Sequence, residues 1–326
     1  MNRLVIIDGH ALLHRAFHAL PSLTTQKGQM VNAVYGFVSI LLRVIEELKP
    51  THLAVVFDTP KPTFRNKLSR EYQANRPKTD TNLIPQFQLA HQVVEQMQIP
   101  HFEMDGYEAD DVIGTLVERT TNISQIRNPK SEIRNNEVII VTSDRDLFQL
   151  VSEHVKVYMP VKGISQSKLY GERDVEEKMG VGPGEIIDLK ALIGDSSDNY
   201  PGIDGIGPKT AADLIKSFGS FNGIYKHINE VKSRSVKEKL IKDKENGELS
   251  RKLATIFKDV PIDFDLNKCI LNSFDTAEVR WLFEELEFKS LIQRLALNKT
   301  IDNIQHSTFN TKQKKNNLED NQISLF

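Results

Sequence analysis

The 326-residue chain has a single cysteine, Cys269, and a single tryptophan, Trp281. One thiol excludes an internal disulfide and a zinc site built on cysteine pairs, and it fits a reducing cytosol. Long apolar runs are missing too. The first of them, Leu4-Val-Ile-Ile7, is broken at Asp8 and is too short for a secretory signal or a membrane span. A strong excess of one charge is also lacking, because the formal net charge is −2. A surface for nucleic acid must then come from uneven distribution of charge rather than from its total. What is present, 39% hydrophobic and 26% charged residues, is ordinary for a soluble globular protein, and the length accommodates two domains.

The first half of the chain repeats one pattern. Residues 4–7, 53–57 and 138–141 are compact apolar runs of the kind buried on both faces of a parallel sheet, and 100–104 and 155–159 predict two further strands. Helical spacing predicts helices over 31–48, 84–97 and 112–117. Acids follow four of the runs: Asp8; Asp58; Glu108, Asp110 and Asp111; then Asp144 and Asp146. In open α/β sheets the carboxyl ends of the strands form the ligand crevice, so these seven acids are expected on one rim. The run Tyr107-Glu-Ala-Asp-Asp111 packs three carboxylates into four residues. Either a divalent cation offsets their repulsion or a helix N-terminus does, and this run alone does not choose. His10, His14 and His18, spaced by four, could in principle face one zinc ion. No zinc-type motif accompanies them, so they read better as half-buried or phosphate-facing groups beside Arg15. Residues 120–136 are polar and read as a surface insertion.

Two stretches are basic. Residues 61–78 hold Lys61, Arg65, Lys67, Arg70, Arg76 and Lys78 against Glu71 alone, with Phe64 and Tyr72 interleaved. Cations for phosphates with rings for bases is the footprint of a single-strand contact, although a solvated insertion has the same composition. From about residue 171 the pattern turns helical, with a short helix over 186–193 followed by Asp195 and Asp198. Next comes Gly202-Ile-Asp-Gly205-Ile-Gly207-Pro-Lys209-Thr210, leading into a helix over 211–218. Glycines before a helix N-terminus let backbone N–H groups approach a phosphate, and Lys209 adds charge. Residues 204–258 carry 12 basic and 7 acidic side chains, a surface suited to a duplex backbone. The apolar residues of 263–297 are expected to pack back on the first domain. Residues 298–326 read as a disordered polar tail ending in Gln322-Ile-Ser-Leu325-Phe326, an apolar stub suited to anchoring a partner.

Nine carboxylates thus stand in one set: Asp8, Asp58, Glu108, Asp110, Asp111, Asp144, Asp146, Asp195 and Asp198. Acid-only ligands without cysteine favour Mg²⁺ or Mn²⁺ over structural zinc. Two such ions clamping attacking and leaving oxygens is a known arrangement for phosphodiester hydrolysis.

The ordered set VIIDGH, VVFD, YEADD, TSDRD, GDSSDN and GIGPKTA resembles the 5′-nuclease domain of bacterial DNA polymerase I and its free-standing relatives, which are similar to flap endonucleases. The resemblance covers roughly residues 1–297. It implies an α/β, PIN-like nuclease domain with a mostly parallel sheet over 1–170, carrying a helical arch over 61–82 that passes a 5′ strand. It also implies a helix–three-turn–helix DNA-binding domain over 171–260 and a C-terminal segment over 261–297. It implies two groups of metal ligands, with Asp8, Asp58, Glu108 and Asp110 in the first and Asp146, Asp195 and Asp198 in the second. Asp111 and Asp144 would lie between, bridging or acting through water. Arg15, Arg65, Tyr72 and Arg76 would steer the 5′ strand, with Arg76 at the scissile phosphate. Gly205, Gly207, Lys209 and Thr210 would hold the duplex, with a K⁺ ion at the Gly-rich turn. The implied activity is removal of 5′ flaps and RNA primers in the bacterial cytoplasm, by a monomer at the nucleoid. The family's arch usually reads Tyr-Lys-x-x-Arg, whereas this chain has Tyr72-Gln73-Ala74-Asn75-Arg76. Loss of that lysine keeps a second reading in play, a catalytically weakened DNA-junction binding module. No polymerase domain follows, so the chain reads as free-standing. Its last five residues resemble the pentapeptide that binds the bacterial sliding clamp, through Gln322, Leu325 and Phe326.

Overall fold

Alternation along the strands determines how the molecule is layered. The computed structural model describes residues 2–126, 136–163 and 165–295. Six strands, β1 (Arg3–Asp8), β2 (His52–Val56), β3 (His101–Phe102), β4 (Glu137–Val141), β5 (Val155–Lys162) and β6 (Gln166–Tyr170), form one sheet in the order 3-2-1-4-5-6. All neighbours are parallel except β5 and β6. Val5, Ile7, Leu53, Val55, Ile139 and Val141 point to one face; Leu4, Ile6, Ala54, Val56, Val138 and Ile140 point to the other. Both sets are buried, as a parallel sheet covered on two sides requires. Each large side chain removed from water in this way contributes about 1.5–3 kcal/mol.

Helices α1 (Gly9–Ala19), α2 (Asn32–Leu48) and α4 (Ile84–Gln96) cover the first face. On the second lies α5 (Ala109–Ile126). The short α3 (Phe64–Leu68) rises beside the carboxyl ends of the strands. The helical half then comprises α6 (Glu172–Met179), α7 (Ile186–Ile193), α8 (Pro208–Phe218), α9 (Phe221–Lys226), α10 (Arg234–Lys242) and α11 (Lys244–Ala254). Its Ile203, Leu214, Phe221 and Leu240 belong to the same apolar cluster as Leu4 and Ile6, so the core runs unbroken from sheet to helices. Finally α12 (Ala277–Glu285) returns to the first face, where Val279, Phe283, Phe288 and Leu295 join Phe37 and Leu89 in one cluster.

Three features differ from the sequence reading. The strand β6 was not expected; its Gln-Ser-Lys-Leu-Tyr sequence is mostly exposed, so it carries no apolar run. Helix α5 continues to Ile126, through the first part of the expected insertion. There Thr120 Oγ1 and Thr121 Oγ1 donate to the carbonyls of Leu116 and Val117, which lets threonine remain helical. Of the arch expected to be helical over 61–82, only Phe64–Leu68 is α-helix. Beyond it the chain turns, because the Gln73 N–H donates to the Asp198 carbonyl (2.9 Å) with Gln73 at φ 58°. The remainder of the expected insertion, residues 127–135, and the tail with Gln322, Leu325 and Phe326 lie outside the described residues.

Candidate active site

The order 3-2-1-4-5 reverses direction at β1 and β4, and crevices open where a parallel sheet does this. Asp8 ends β1 there. Its Oδ1 accepts the Ala11 N–H (3.0 Å), capping α1, and its Oδ2 accepts Thr142 Oγ1–H (2.7 Å). Asp58 follows β2; its Oδ1 accepts the Ala109 N–H (2.8 Å) at the start of α5, and its own N–H donates to His10 Nδ1 (3.1 Å). After β4, Thr142 Oγ1 accepts the Asp144 N–H, and Asp144 Oδ1 accepts the Asp146 N–H. Each acid is thus fixed by the turn that follows its strand, with lone pairs left over.

A cavity of about 1160 Å³ lies above these turns, lined by Asp8, Asp58, Glu108, Asp110, Asp144, Asp146 and Asp198. Seven expected acids therefore meet at one place. Burial, opposed in part by the Thr142 bond, pushes the Asp8 carboxyl up to about 7. Burial, against the pull of Arg65, pushes Glu108 up to about 7. Asp146 rises to about 6 through burial and the neighbouring Asp144. Asp110 is held well above its ordinary value by burial and by Asp144 and Asp8. Acids raised together in one crevice have too little positive charge beside them.

Two groups of side chains supply part of it. From α7, Lys190 Nζ sits 2.6 Å from Asp146 Oδ1 and also bonds Asp195 Oδ2. Burial alone would lower Lys190, but the two carboxylates outweigh it and keep the ammonium charged. Asp195 stands outside the cavity lining and organises its loop, accepting the N–H groups of Ser197 (2.7 Å) and Asp198 (3.2 Å). From the arch, Arg76 bonds Asp198, Tyr72 Oη donates to Glu108 (3.1 Å), and Gln73 Nε2 lies 3.3 Å from both Glu108 and Asp198. With these bonds in place, no three acid, histidine or cysteine side chains among the described residues close on one ion. The donor set is nonetheless all carboxylate oxygen, it is short of cations, and it fits hard divalent ions.

Other expected residues have different places. Asp111 is fully buried and accepts Arg65 Nη1 (2.7 Å) and Nη2 (2.9 Å), while its backbone-facing oxygens also take the N–H groups of Glu108 and Phe257. It does not line the cavity, so a bridging metal role is corrected to a structural one. Arg65, expected on DNA, is likewise buried; its remaining donors go to the Leu253 and Thr255 carbonyls and toward Glu108 at 3.1 Å. No N–H of its fork is left for a phosphate. Tyr72 is buried against Tyr200 with its hydroxyl on carboxylates, so it presents no free ring to a strand. Arg15 donates to the Gly163 carbonyl (3.2 Å) and does not line the cavity.

At the glycine-rich turn, Gly205 takes φ 70°, Gly207 precedes α8, and Lys209 is exposed with Thr210 half-buried. Lys239 Nζ donates to the Gly205 carbonyl (3.0 Å), so an oxygen that K⁺ could use already carries a tethered ammonium. His10 stacks on Phe87 (4.4 Å) and, with His14 and His91, lines the cavity wall. Burial lowers all three imidazoles, and His18, the last of the expected stripe, does not line the cavity, so the stripe does not converge there. Lys190 was missed by sequence reasoning. Its signal was a lysine inside the apolar run Ile-Ile-Asp-Leu-Lys-Ala-Leu-Ile, a position where an unpaired lysine is rarely buried.

A resolvase-like α/β domain with an acid-lined crevice at its strand ends, joined to a small helical domain, defines a nuclease. The chain belongs to the 5′-3′ exonuclease family: the family's N-terminal resolvase-like domain matches residues 3–180 and its C-terminal SAM fold matches 181–277. It is 41% identical to DNA polymerase I of Bacillus caldotenax over 293 residues, which is 90% of this chain and 32% of that protein. It is 40% identical to DNA polymerase I of Bacillus subtilis (strain 168) over the same length and the same shares. The chain therefore spans about a third of the curated relatives it matches. Among solved structures, T5 D15 protein co-crystallised with metal ions aligns with a TM-score of 0.61 at 20% identity, covering 90% of this chain and 100% of that one. The catalytic core of Rad2 in complex with DNA substrate aligns at 0.55 and 15% identity, covering 87% and 88%. These two show a shared fold.

Among the described residues, no helix is long and apolar enough to cross a membrane.

Proposed function

We propose that this chain is a divalent-metal-dependent, structure-specific 5′ nuclease that hydrolyses phosphodiester bonds at 5′ ends and 5′ flaps of DNA and removes RNA primers during replication and repair. One observation carries the reading: seven carboxylates from five segments of the chain meet around one cavity that lacks enough fixed cations to neutralise them. Asp8, Asp58, Glu108 and Asp110 would hold one ion and Asp146, Asp195 and Asp198 a second, with Asp144 between them and Asp195 exchanging Lys190 for the ion. Mg²⁺ or Mn²⁺ bound there would activate water and stabilise the leaving oxygen. Arg76, half-exposed at the rim, can leave Asp198 for an incoming phosphate. The exposed Lys209 and the N–H groups at the start of α8 suit the duplex backbone. A K⁺ ion at that turn would have to displace Lys239 from the Gly205 carbonyl.

The test is cleavage of a labelled 5′-flap duplex in Mg²⁺, with Asp146→Ala and Asp198→Ala beside the parent. Each substitution is expected to lower the rate by several orders of magnitude. Unchanged cleavage in either variant would overturn the site. A second reading, a junction-binding module of weakened catalysis, rests on Gln73, whose neutral amide stands where the family's arch has a lysine. It predicts DNA shifted but uncut under the same conditions. We further infer a monomer acting in the bacterial cytoplasm near the nucleoid, with Gln322, Leu325 and Phe326 docking on the sliding clamp. Deleting residues 322–326 should abolish clamp pull-down and spare cleavage.

A further inference from the structure

Behind the cavity wall lies a second concavity. A groove of about 590 Å³ is lined by Phe64, Leu68, Ile187, Ile256 and Phe257 with Lys252 and Lys258 at its rim. Ile256 lines both concavities, and Phe64 adjoins Arg65 on α3, so the groove begins where the base of the arch ends. Its polar lining is already satisfied. Gln149 donates to the Asp146 and Ala254 carbonyls and accepts the Ile256 N–H, and Thr255 Oγ1 donates to the Arg251 carbonyl. What the groove offers a ligand is apolar surface, flat rings and two ammonium groups. Phe257 is 41% exposed, one face stacked on Tyr107 at 5.6 Å and its edge toward Phe64 at 6.4 Å. Leu68 is 47% exposed beside it. Lys252 is exposed, and Lys258 meets the half-exposed Glu118 at a loose 4.0 Å.

We propose that this groove binds single-stranded nucleic acid, a base stacking on Phe257 and flanking phosphates pairing with Lys252 and Lys258. It would hold the unpaired 5′ strand after that strand has passed the arch. The inference rests on the nuclease reading for the identity of the strand, but not for the chemistry of the groove. Rings beside lysines, without unsatisfied polar groups, suit a base and its phosphates, and stacking tolerates any sequence. The groove adjoins the acid cavity, Ile256 lining both, so a strand leaving the arch base meets the groove next.

The experiment measures equilibrium binding of labelled flap duplexes to the full chain in EDTA, comparing a 20-nucleotide flap with a single-nucleotide flap. The parent is expected to favour the long flap. Phe257→Ala should weaken long-flap binding about fivefold or more and leave the single-nucleotide flap unchanged. The exposed double variant Lys252→Ser/Lys258→Ser should do the same and lower the salt dependence of long-flap binding. If both variants keep the parent's long-to-short ratio, the groove does not hold the strand. If the ratio is kept while an acidic amphipathic peptide binds the parent and not Phe257→Ala, the groove is a protein site and the proposal is overturned. A parent that binds with the expected ratio but cuts neither substrate in Mg²⁺ would sink the nuclease reading while leaving the groove supported.

Discussion

Asp110 and Asp111 are neighbours on the first turn of α5, yet they belong to two different regions. Asp110 faces the cavity among other acids, and no fixed cation balances it. Asp111 is fully buried beside that cavity, where the Arg65 guanidinium grips both its oxygens. Successive helical residues point about 100° apart, so one turn serves both purposes. The comparison separates a structural carboxylate from a ligand-binding one: the first has its counter-ion built into the chain, and the second waits for one.

The sharpest way to break that distinction is to truncate each acid in turn. Asp110→Ala should lower flap cleavage by at least about a thousandfold and leave the metal-free melting temperature unchanged or higher, because it removes a carboxyl that burial disfavours. Asp111→Ala should destabilise by about 3–5 kcal/mol, because it strands the buried Arg65 without its partner. Thermal melts and cleavage rates together read the pair. If Asp111→Ala folded at parental stability, or if Asp110→Ala cut normally, the two-region account would be wrong.

Lys190 and Arg76 extend the comparison to the cations. Lys190 is 10% exposed at its side chain and bridges Asp146 to Asp195; Arg76 is 51% exposed and meets Asp198 from the rim. Lys190→Met should therefore cost about 3 kcal/mol, part of it restored by added Mg²⁺, as buried pairs depend strongly on both partners. Arg76→Ala should cost under about 1 kcal/mol, as exposed ion pairs do, while lowering turnover. Equal destabilisation by the two would show that the arch is as rigid as α7.

The strands β1, β2 and β4 and the convergence of Asp8, Asp58, Glu108, Asp110, Asp144 and Asp146 were legible because each acid follows a short apolar run; Asp111, expected on the same rim, is not in the cavity lining. The Arg65–Asp111 pair was not legible, since a basic residue in a basic segment carries no mark of burial. Only the fold brings residues 65 and 111 together, across the start of α5. Lys190 was legible in retrospect from its apolar helix. Strand β6 was not, because an exposed edge strand lacks the run that marks the others.

A pH series sharpens the same contrast with a smaller effect. Asp8, Glu108 and Asp146 have folded values of about 7, 7 and 6, above their ordinary range. A group raised on folding favours the native state while protonated, fully below the unfolded value and no longer above the folded one. Metal-free protein should therefore lose stability from about pH 4 to pH 7 through these groups. Mg²⁺ should raise the melting temperature more at pH 8 than at pH 5, where protons compete for the same oxygens. Equal Mg²⁺ stabilisation at both pH values would detach the raised carboxyls from metal binding.

The smallest expected change lies at Gln73, where the two regions meet. Its φ of 58° costs a non-glycine residue about 1 kcal/mol, offset by its N–H bond to the Asp198 carbonyl and its amide contacts with Glu108 and Asp198. A lysine there would keep the backbone bond and bring a charged donor to the same two acids. Gln73→Lys is expected to raise flap turnover about tenfold, equivalent to about 1.4 kcal/mol, and to raise the Mg²⁺ concentration needed for half-maximal rate. The second effect follows because an ammonium competes with a cation for Glu108 and Asp198. Gln73→Gly, which relieves the backbone but removes the amide, should leave turnover near the parent's. If Gln73→Gly and Gln73→Lys changed the rate alike, strain rather than charge would set the rate at this rim, and the missing lysine would not be what distinguishes this arch.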